Sequence, residues 1–397
     1  MSKCARLAML CTLAAAAFGL PACRSGLVRP GAAPEASEPA PYARSRAITA
    51  VNWNFSAAGP PRALGSDLWP CTWAADDAMY CAWGDGGGFD GNDDHVGRAS
   101  LGFARIRGKP AEDGSLSFFG KNVWGSLPYA ENPATFGGKV VSLISVDGII
   151  FATGGLWTPK DAVNPTQTSE NGPLRTLIWS TDLGRSWQIA PWSSPSVLGS
   201  FLNFGRDNAG SIDAYVYIYY AREGDSTRIY LKRVPKEHLR SDPAAPGLYQ
   251  YLIGADSRGR AIGWSTREAD AHAIFADPNG VDSPEIAYDA KLHRYLLTAG
   301  HYRSGLAGRS SIGQVGIFEA AHPWGPWATV GYYDDWGHFG RSGAGDFLGL
   351  VLPTPWISTD GRTLWCIYSG LHEFDAFNVV KATLKTSWLL ALGFGGP

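Results

Sequence analysis

Two carboxylic acids bracket one predicted hairpin. Gly65-Ser66-Asp67-Leu68-Trp69 leads into a short apolar strand, and Trp83-Gly84-Asp85-Gly86 leads out of the strand that follows. An antiparallel pair returns to the end it left, so Asp67 and Asp85 share one end of the hairpin. Two carboxyls at one place suit the cleavage of an acetal, with one protonated as acid and the other ionised. A retaining pair stands about 5–5.5 Å apart and an inverting pair about 6.5–9.5 Å. Spacing in the chain leaves that choice open. Glu285, in Ser283-Pro284-Glu285-Ile286 ahead of an apolar strand, is the candidate general acid. Plainer roles compete: Asp67 can cap a turn, and Asp85 can be the first half of an Asp-Gly turn.

These residues need elements to hold them, and the chain repeats one. Five segments run apolar strand, polar turn, apolar strand, then small or polar residues: 71–86, 140–155, 201–220, 284–301 and 355–370. Their turn markers Asp77, Asp147, Asp213, Lys291 and Asp360 lie 70, 66, 78 and 69 residues apart. A period of this size fits a four-stranded sheet with its loops, and radial repetition of such sheets makes a propeller. Weaker second hairpins follow each segment, and 47–55 is placed to supply a closing strand. The expected fold is all-β, a five-bladed β-propeller with four-stranded antiparallel blades. Its rival is a pair of β-sandwiches. Ser180-Thr181-Asp182-Leu183-Gly184-Arg185-Ser186-Trp187 has the form of an Asp-box, in which Asp and Gly set a tight turn and Trp packs between strands.

In a propeller, residues before each first strand and after each second strand converge near the axis. That rule selects Asp67, Glu131 with Asn132, Asn203 with Arg206, and Asp282 with Glu285. It also selects Asp85, Trp157, Tyr220 with Arg222, His301 with Arg303, and His372 with Asp375. The set mixes carboxylates, cations, His and aromatic rings, which suits a carbohydrate. Glu131, Trp157, Arg206, Tyr220, His301, Arg303 and His372 are the candidate substrate contacts, and Arg206 or a third carboxylate would tune the acid pair. Asp213, at a hairpin turn, falls on the opposite face and reads as structural. Asp90, Asp93 and Asp94, with Gly91 and Asn92, form an acidic loop that offers oxygen ligands to calcium. EF-hand spacing is absent, a solvated loop is preferred, and no cofactor is expected.

Composition agrees with an all-β chain. Of 397 residues, 49 are Gly, 16 Trp and 16 Tyr, while 18% are charged. A net charge of −2 gives no basic field for nucleic acid. Lys3 and Arg6 precede an apolar stretch, Leu7–Leu20, that ends in Pro21-Ala22-Cys23. This resembles a bacterial lipoprotein signal with Cys23 acylated, the alternative being a plain secretory peptide. Residues 24–46, rich in Ala, Pro, Ser and Glu, read as a tether, and 47–397 as one propeller domain. Export and a lipid anchor are therefore expected, with membrane contact through that anchor alone, and a monomer. Cys71 and Cys81 flank the first hairpin and could face each other as a disulfide or as two buried thiols. No Cys/His cluster suggests zinc.

The stretches GSDLW, AWGDG, NFGRDNAGSIDAYVYIYY, YLKRVPKEHL, YDAKLHRYLLTAGH, DGRTLWCIYSG and FDAFNV resemble a bacterial family of five-bladed propellers, formerly a domain of unknown function. The resemblance runs roughly from Ser66 to Leu384. The family includes endo-acting D-arabinanases that cut mycobacterial arabinan. The layout is more distantly similar to arabinanase- and xylosidase-like glycosidases, which place an Asp before the first strand of blade one, a second Asp in a following blade and a Glu as acid in a middle blade. Asp67 matches the first position, and Asp85 matches the Asp after the blade-one hairpin in the arabinanase-containing family. Glu285 is placed by position, and Glu131 stands in for the second-blade Asp. The resemblance implies a glycoside hydrolase on an envelope or environmental polysaccharide, arabinan or another furanose-containing glycan, with Asp67 as nucleophile or base. The alternatives are a non-catalytic carbohydrate-binding propeller and, last, a sialidase-like enzyme, which would need an Arg cluster and a Tyr–Glu pair.

Overall fold

A computed structural model describes residues 39–91, 98–111, 116–125, 127–157, 174–194, 199–256, 258–302, 313–336, 347–370 and 375–391. Regular structure opens with β1 (Ile48–Asn54), an outermost strand whose partner comes last in the chain. Blade one is β2 (Cys71–Trp73), β3 (Met79–Gly84), β4 (Leu101–Pro110) and β5 (Leu116–Trp124). Blade two is β6 (Gly137–Val146), β7 (Ile149–Trp157), β8 (Leu174–Ser180) and β9 (Gln188–Ile189). Blade three runs β10 (Ser200–Phe201), β11 (Tyr215–Tyr220), β12 (Arg228–Pro235), β13 (Gln250–Leu252) and β14 (Trp264–Ser265), with β15 (Ala273–Ala276) also paired to β12. Blade four is β16 (Asp282–Asp289), β17 (Arg294–Gly300), β18 (Val315–Ala320) and β19 (Ala328–Tyr333). Blade five is β20 (Phe347–Val351), β21 (Thr363–Gly370), β22 (Asn378–Thr386) and, closing it, β1.

Five apolar clusters join these sheets in a ring. Each draws its side chains mainly from two consecutive blades. Tyr80 and Phe103 meet Leu143 and Ile150 between blades one and two. Ile144 and Phe151 meet Val216 and Ile218 between two and three. Tyr217 and Leu231 meet Tyr295 and Leu297 between three and four, and Leu296 and Ile317 meet Leu364 and Val380 between four and five. Met79 and Cys81 meet Trp365 and Ile367 between five and one. A sheet covered on both faces has no solvent side, so β3, β17 and β18 are buried at every residue rather than at alternate ones. This explains the unbroken apolar runs in the repeat and establishes a five-bladed β-propeller over a pair of sandwiches.

Three expectations about boundaries change. The innermost strand of blade five is β20, and the segment from Pro355 that was expected to hold it opens instead in a single helical turn, Thr354–Trp356, whose indole donates to the Gly108 carbonyl of blade one. Blade three carries two extra short strands. Residues 40–46, expected to belong to the tether, pack on blade four: Tyr42 sits between Phe275 and Phe318, and the buried Ser45 hydroxyl donates to Glu319 at 2.6 Å. An apolar ring and a partnered hydroxyl outweigh the Pro- and Ala-rich composition there. The Asp-box behaves as expected. Asp182 accepts from Ser186 Oγ at 2.6 Å and its backbone N at 2.9 Å, and Trp187 stacks on Phe103 of blade one at 3.9 Å.

Candidate active site

The lead-in to β2 is bent by two consecutive non-glycine residues in the left-handed region, Leu68 (φ 75°) and Trp69 (φ 66°). Such backbone costs about 1–3 kcal/mol per residue and persists only where packing over-determines it. Trp69 supplies that packing: it is fully buried, its indole N–H donates to the Ala376 carbonyl at 3.1 Å, and its ring meets Phe89 and Phe377 edge-on. Asp67 itself exchanges two backbone hydrogen bonds with Gly84, at 2.8 and 2.9 Å. On the outgoing side Asp85 is also left-handed (φ 51°), and Ser66 Oγ accepts from Gly88 N at 2.9 Å to tie both loops together.

The two carboxylates meet over one cation. Lys139 Nζ, from the start of β6, lies 2.9 Å from Asp85 Oδ1 and 3.4 Å from Asp67 Oδ1. Those two oxygens are therefore no more than about 6 Å apart, a bound that contains the separation of a retaining pair. Arg98 Nη2 approaches the other Asp85 oxygen at 3.3 Å. Gly84 is required between the acids: a Cβ there would stand 2.3 Å from Asp67 Oδ1 and 2.5 Å from Lys139 Nζ. Burial lifts the Asp67 carboxyl to about 6, against the pull of Lys139, and the nearby charges of Asp85 and Asp375 add to the rise. Asp85 is held by two cations. The two acids thus sit in unlike environments: Asp67 is buried and raised, while Asp85 lies between Lys139 and Arg98.

Beside this cluster a cavity of about 280 Å³ opens on the propeller axis. Every blade contributes to its wall, through Leu68, Val140, Ser200, Tyr220, Glu285 and Gly349. Leu68 follows Asp67 and Val140 follows Lys139, so the ion-paired acids are next in the chain to residues of the wall without being part of it. Glu285 borders both this cavity and a smaller chamber of about 10 Å³ further along the axis. Burial alone raises its carboxyl to about 8, so it is a neutral acid at pH 7. The charges acting most on Asp67 are those of Lys139, Asp85 and Asp375. Tyr220 lines the cavity, its ring covered by Lys232 Nζ at 4.6 Å.

Other expected contacts sit elsewhere. Glu131 pairs with Lys121 Nζ at 2.9 Å on the outer strand β5, and that hydrogen bond holds its carboxyl below the usual range. The loop carrying it has not yet reached the axis. Arg206 donates to the Ala75 carbonyl at 2.8 Å and lies 3.9 Å from Asp77, beside the β2–β3 turn. Because β10 is only two residues long, Arg206 already lies at the opposite end of the ring. His301 is 1% exposed, stacks on Tyr332 at 3.9 Å and contacts the Tyr333 carbonyl through Nε2 at 3.0 Å. Burial lowers it to about 4, so it is a neutral core residue and no substrate contact. Asp90 accepts from Asn122 N at 3.1 Å, a structural use, and among the described residues no cluster of three metal-binding side chains occurs. Asp213 accepts from Tyr217 OH at 2.7 Å on the turn side. Trp157 ends β7 opposite Gly137, at the mouth end of blade two. Arg303, His372, Asp93, Asp94 and Cys23 lie outside the described residues.

Lys139 and Arg98 were missed. Lys139 obeys the same axial rule, but the first strand of blade two was started at Val140 when it begins at Gly137. Arg98 follows the acidic stretch that holds Asp93 and Asp94, and nothing in its sequence neighbourhood marks it.

No family model matches the chain, and no curated protein matches it. Among solved structures, a candidate hydrolase from Bacteroides ovatus is similar at 12% identity and a TM-score of 0.50, covering 82% of this chain and 88% of that one. A GH43_1 enzyme from Xanthomonas citri (10% identity, TM-score 0.44, 82% and 89% covered) and an arabinanase from Bacillus subtilis (10%, 0.38, 82% and 95%) also align. At these identities the likeness is one of fold.

Proposed function

We propose that this chain is a glycoside hydrolase that cuts a polysaccharide beside the axial cavity, with retention of configuration. The reading rests on one observation: a single ammonium, Lys139 Nζ, touches both Asp67 and Asp85 and so holds one oxygen of each carboxyl within about 6 Å of the other. In the first step an Asp85 oxygen bonds to the anomeric carbon while Asp67 gives its proton to the leaving glycosidic oxygen. In the second step Asp67, now ionised, takes a proton from water, and the water oxygen displaces Asp85. Lys139 moves toward Asp67 as Asp85 loses its charge. Glu285, neutral at pH 7, donates a hydrogen bond to a sugar hydroxyl from the cavity wall, and Tyr220 offers apolar surface to the ring.

The substrate class is an envelope or environmental glycan, with furanose-containing arabinan the first to test. The leader of the chain supports export and acylation at Cys23; Cys23→Ser should release the protein from the membrane fraction. The deciding experiment incubates the protein with arabinans, xylans and sialosides. Asp67→Asn and Asp85→Asn should each abolish product release, and NMR of the first product should show the starting anomer. Product release unchanged in both variants sinks the assignment. A second reading is favoured by the same cation: Lys139 fills the space between the acids, as in a site that binds sugar without cutting it. Binding of a glycan by the wild type with no product at any pH would select that reading.

A further inference from the structure

We infer that Cys71 and Cys81 form a cross-strand disulfide, making the innermost hairpin of blade one a two-electron redox site. The two residues are direct partners in the β2–β3 register. Hydrogen-bonded and non-hydrogen-bonded pairs alternate along an antiparallel ladder. Ala74 N donates to the Ala78 carbonyl at 2.9 Å and Ala82 N donates to the Pro70 carbonyl at 3.0 Å, so both flanking pairs are of the bonded kind. Counting inward by alternation, Cys71 and Cys81 are a non-bonded pair. Such pairs bring Cα atoms to about 4.5 Å with their side chains on one face, inside the span that a disulfide bridges. The two thiols touch each other, whereas Cys366, buried on β21, has no such neighbour among the described residues.

Access differs between the two sulfurs. Cys81 is fully enclosed, while Cys71 lines the small axial chamber that Glu285 also borders. Oxidation therefore takes place during folding, before the hairpin is enclosed, and starts at Cys71, the less covered of the two. The Cys71 thiolate attacks a disulfide oxidant, such as oxidised glutathione, and releases one thiolate from it. The Cys81 thiolate then attacks the Cys71 sulfur and releases the second. The protein loses two protons and two electrons, and the oxidant is reduced to two thiols.

The test uses the full chain, refolded in oxidised or in reduced glutathione, alkylated and digested with trypsin. Arg62 and Arg98 bound one peptide that holds both cysteines, and Cys366 lies on another. The oxidised sample should give the 63–98 peptide unalkylated and two hydrogens lighter, with Cys366 alkylated in both samples. By loop-closure entropy over this hairpin, the oxidised form should melt about 4 °C higher. Alkylation of both Cys71 and Cys81 after oxidative refolding, or their recovery as separate glutathione adducts, overturns the inference. The Cys71→Ser, Cys81→Ser double variant should show the same melting temperature in both buffers; a difference that persists in it also counts against the bridge. Neither result bears on the assignment of Asp67 and Asp85.

Discussion

Glu285→Gln should stabilise this protein in alkaline solution, although it removes an ionisable group from a cavity wall. The glutamic acid is neutral in the folded state up to about pH 8, against an ordinary value of 4.5, because burial disfavours the ion. In the unfolded chain it ionises at the ordinary value. Between those two values the unfolded state sheds a proton that the folded state keeps, so stability falls as pH rises from about 4.5 to about 8 and then levels. The full shift is worth about 5 kcal/mol. Glu285 borders a water-accessible cavity, and partial solvation reduces this to about 2–5 kcal/mol. For a domain of this size that is a melting difference of about 3–7 °C. Glutamine keeps the shape and donor of the neutral acid without the ionisation. Melting curves of wild type and variant should coincide near pH 4.5 and separate by that amount at pH 8.5, with the variant higher. Other buried groups titrate in the same window, among them Lys232, lowered to about 7, but they are common to both proteins and cancel. Curves that stay parallel from pH 4.5 to 8.5 would refute the placement of a neutral carboxyl on the axis.

Activity that needs a protonated Asp67 should fall as pH rises through about 6, and Lys139→Met, by removing the cation that opposes this, should move the fall upward on a kcat/KM profile. Gly84→Ala should cost turnover by more than tenfold while shifting the melting temperature little, because its Cβ would displace Asp67 Oδ1 rather than core atoms. Arg294→Met should destabilise by about 3–5 kcal/mol in denaturant unfolding, since Arg294 Nε meets Glu319 at 3.1 Å with both side chains 7% exposed and the acid would be left buried without its cation. Asp182→Ala should cost about 1–2 kcal/mol and leave product release intact, as the Asp-box lies on the outer part of blade two.

Much of the ring was legible because inner strands covered on both faces leave long apolar runs between polar turns. That signal placed Asp67 and Asp85 together and put Asp213 on the far side. It failed where a strand was short or a loop long. The two residues of β10 put Arg206 on the wrong end of the ring, and the helical turn after β20 imitated the start of a strand at Pro355. His301 followed the axial rule in position, yet Tyr332 lies flat against it, and stacking between blade-four strands cannot be seen along the chain. The unlike surroundings of Asp67 and Asp85 were equally hidden, because burial of one and the lysine and arginine beside the other come from outside the hairpin.

Closure by β1 imposes an order on biosynthesis. β1 emerges early but pairs with β22, with residues 55–377 lying between them. At ordinary elongation rates the two strands are made roughly 15–65 s apart. During that interval β1 presents a bare edge, and Tyr42 and Ser45, which later seat on blade four, have nothing to rest on. The ring therefore cannot close until the end of synthesis, and until then the partner edge that β1 needs is missing and open to pairing with a second chain.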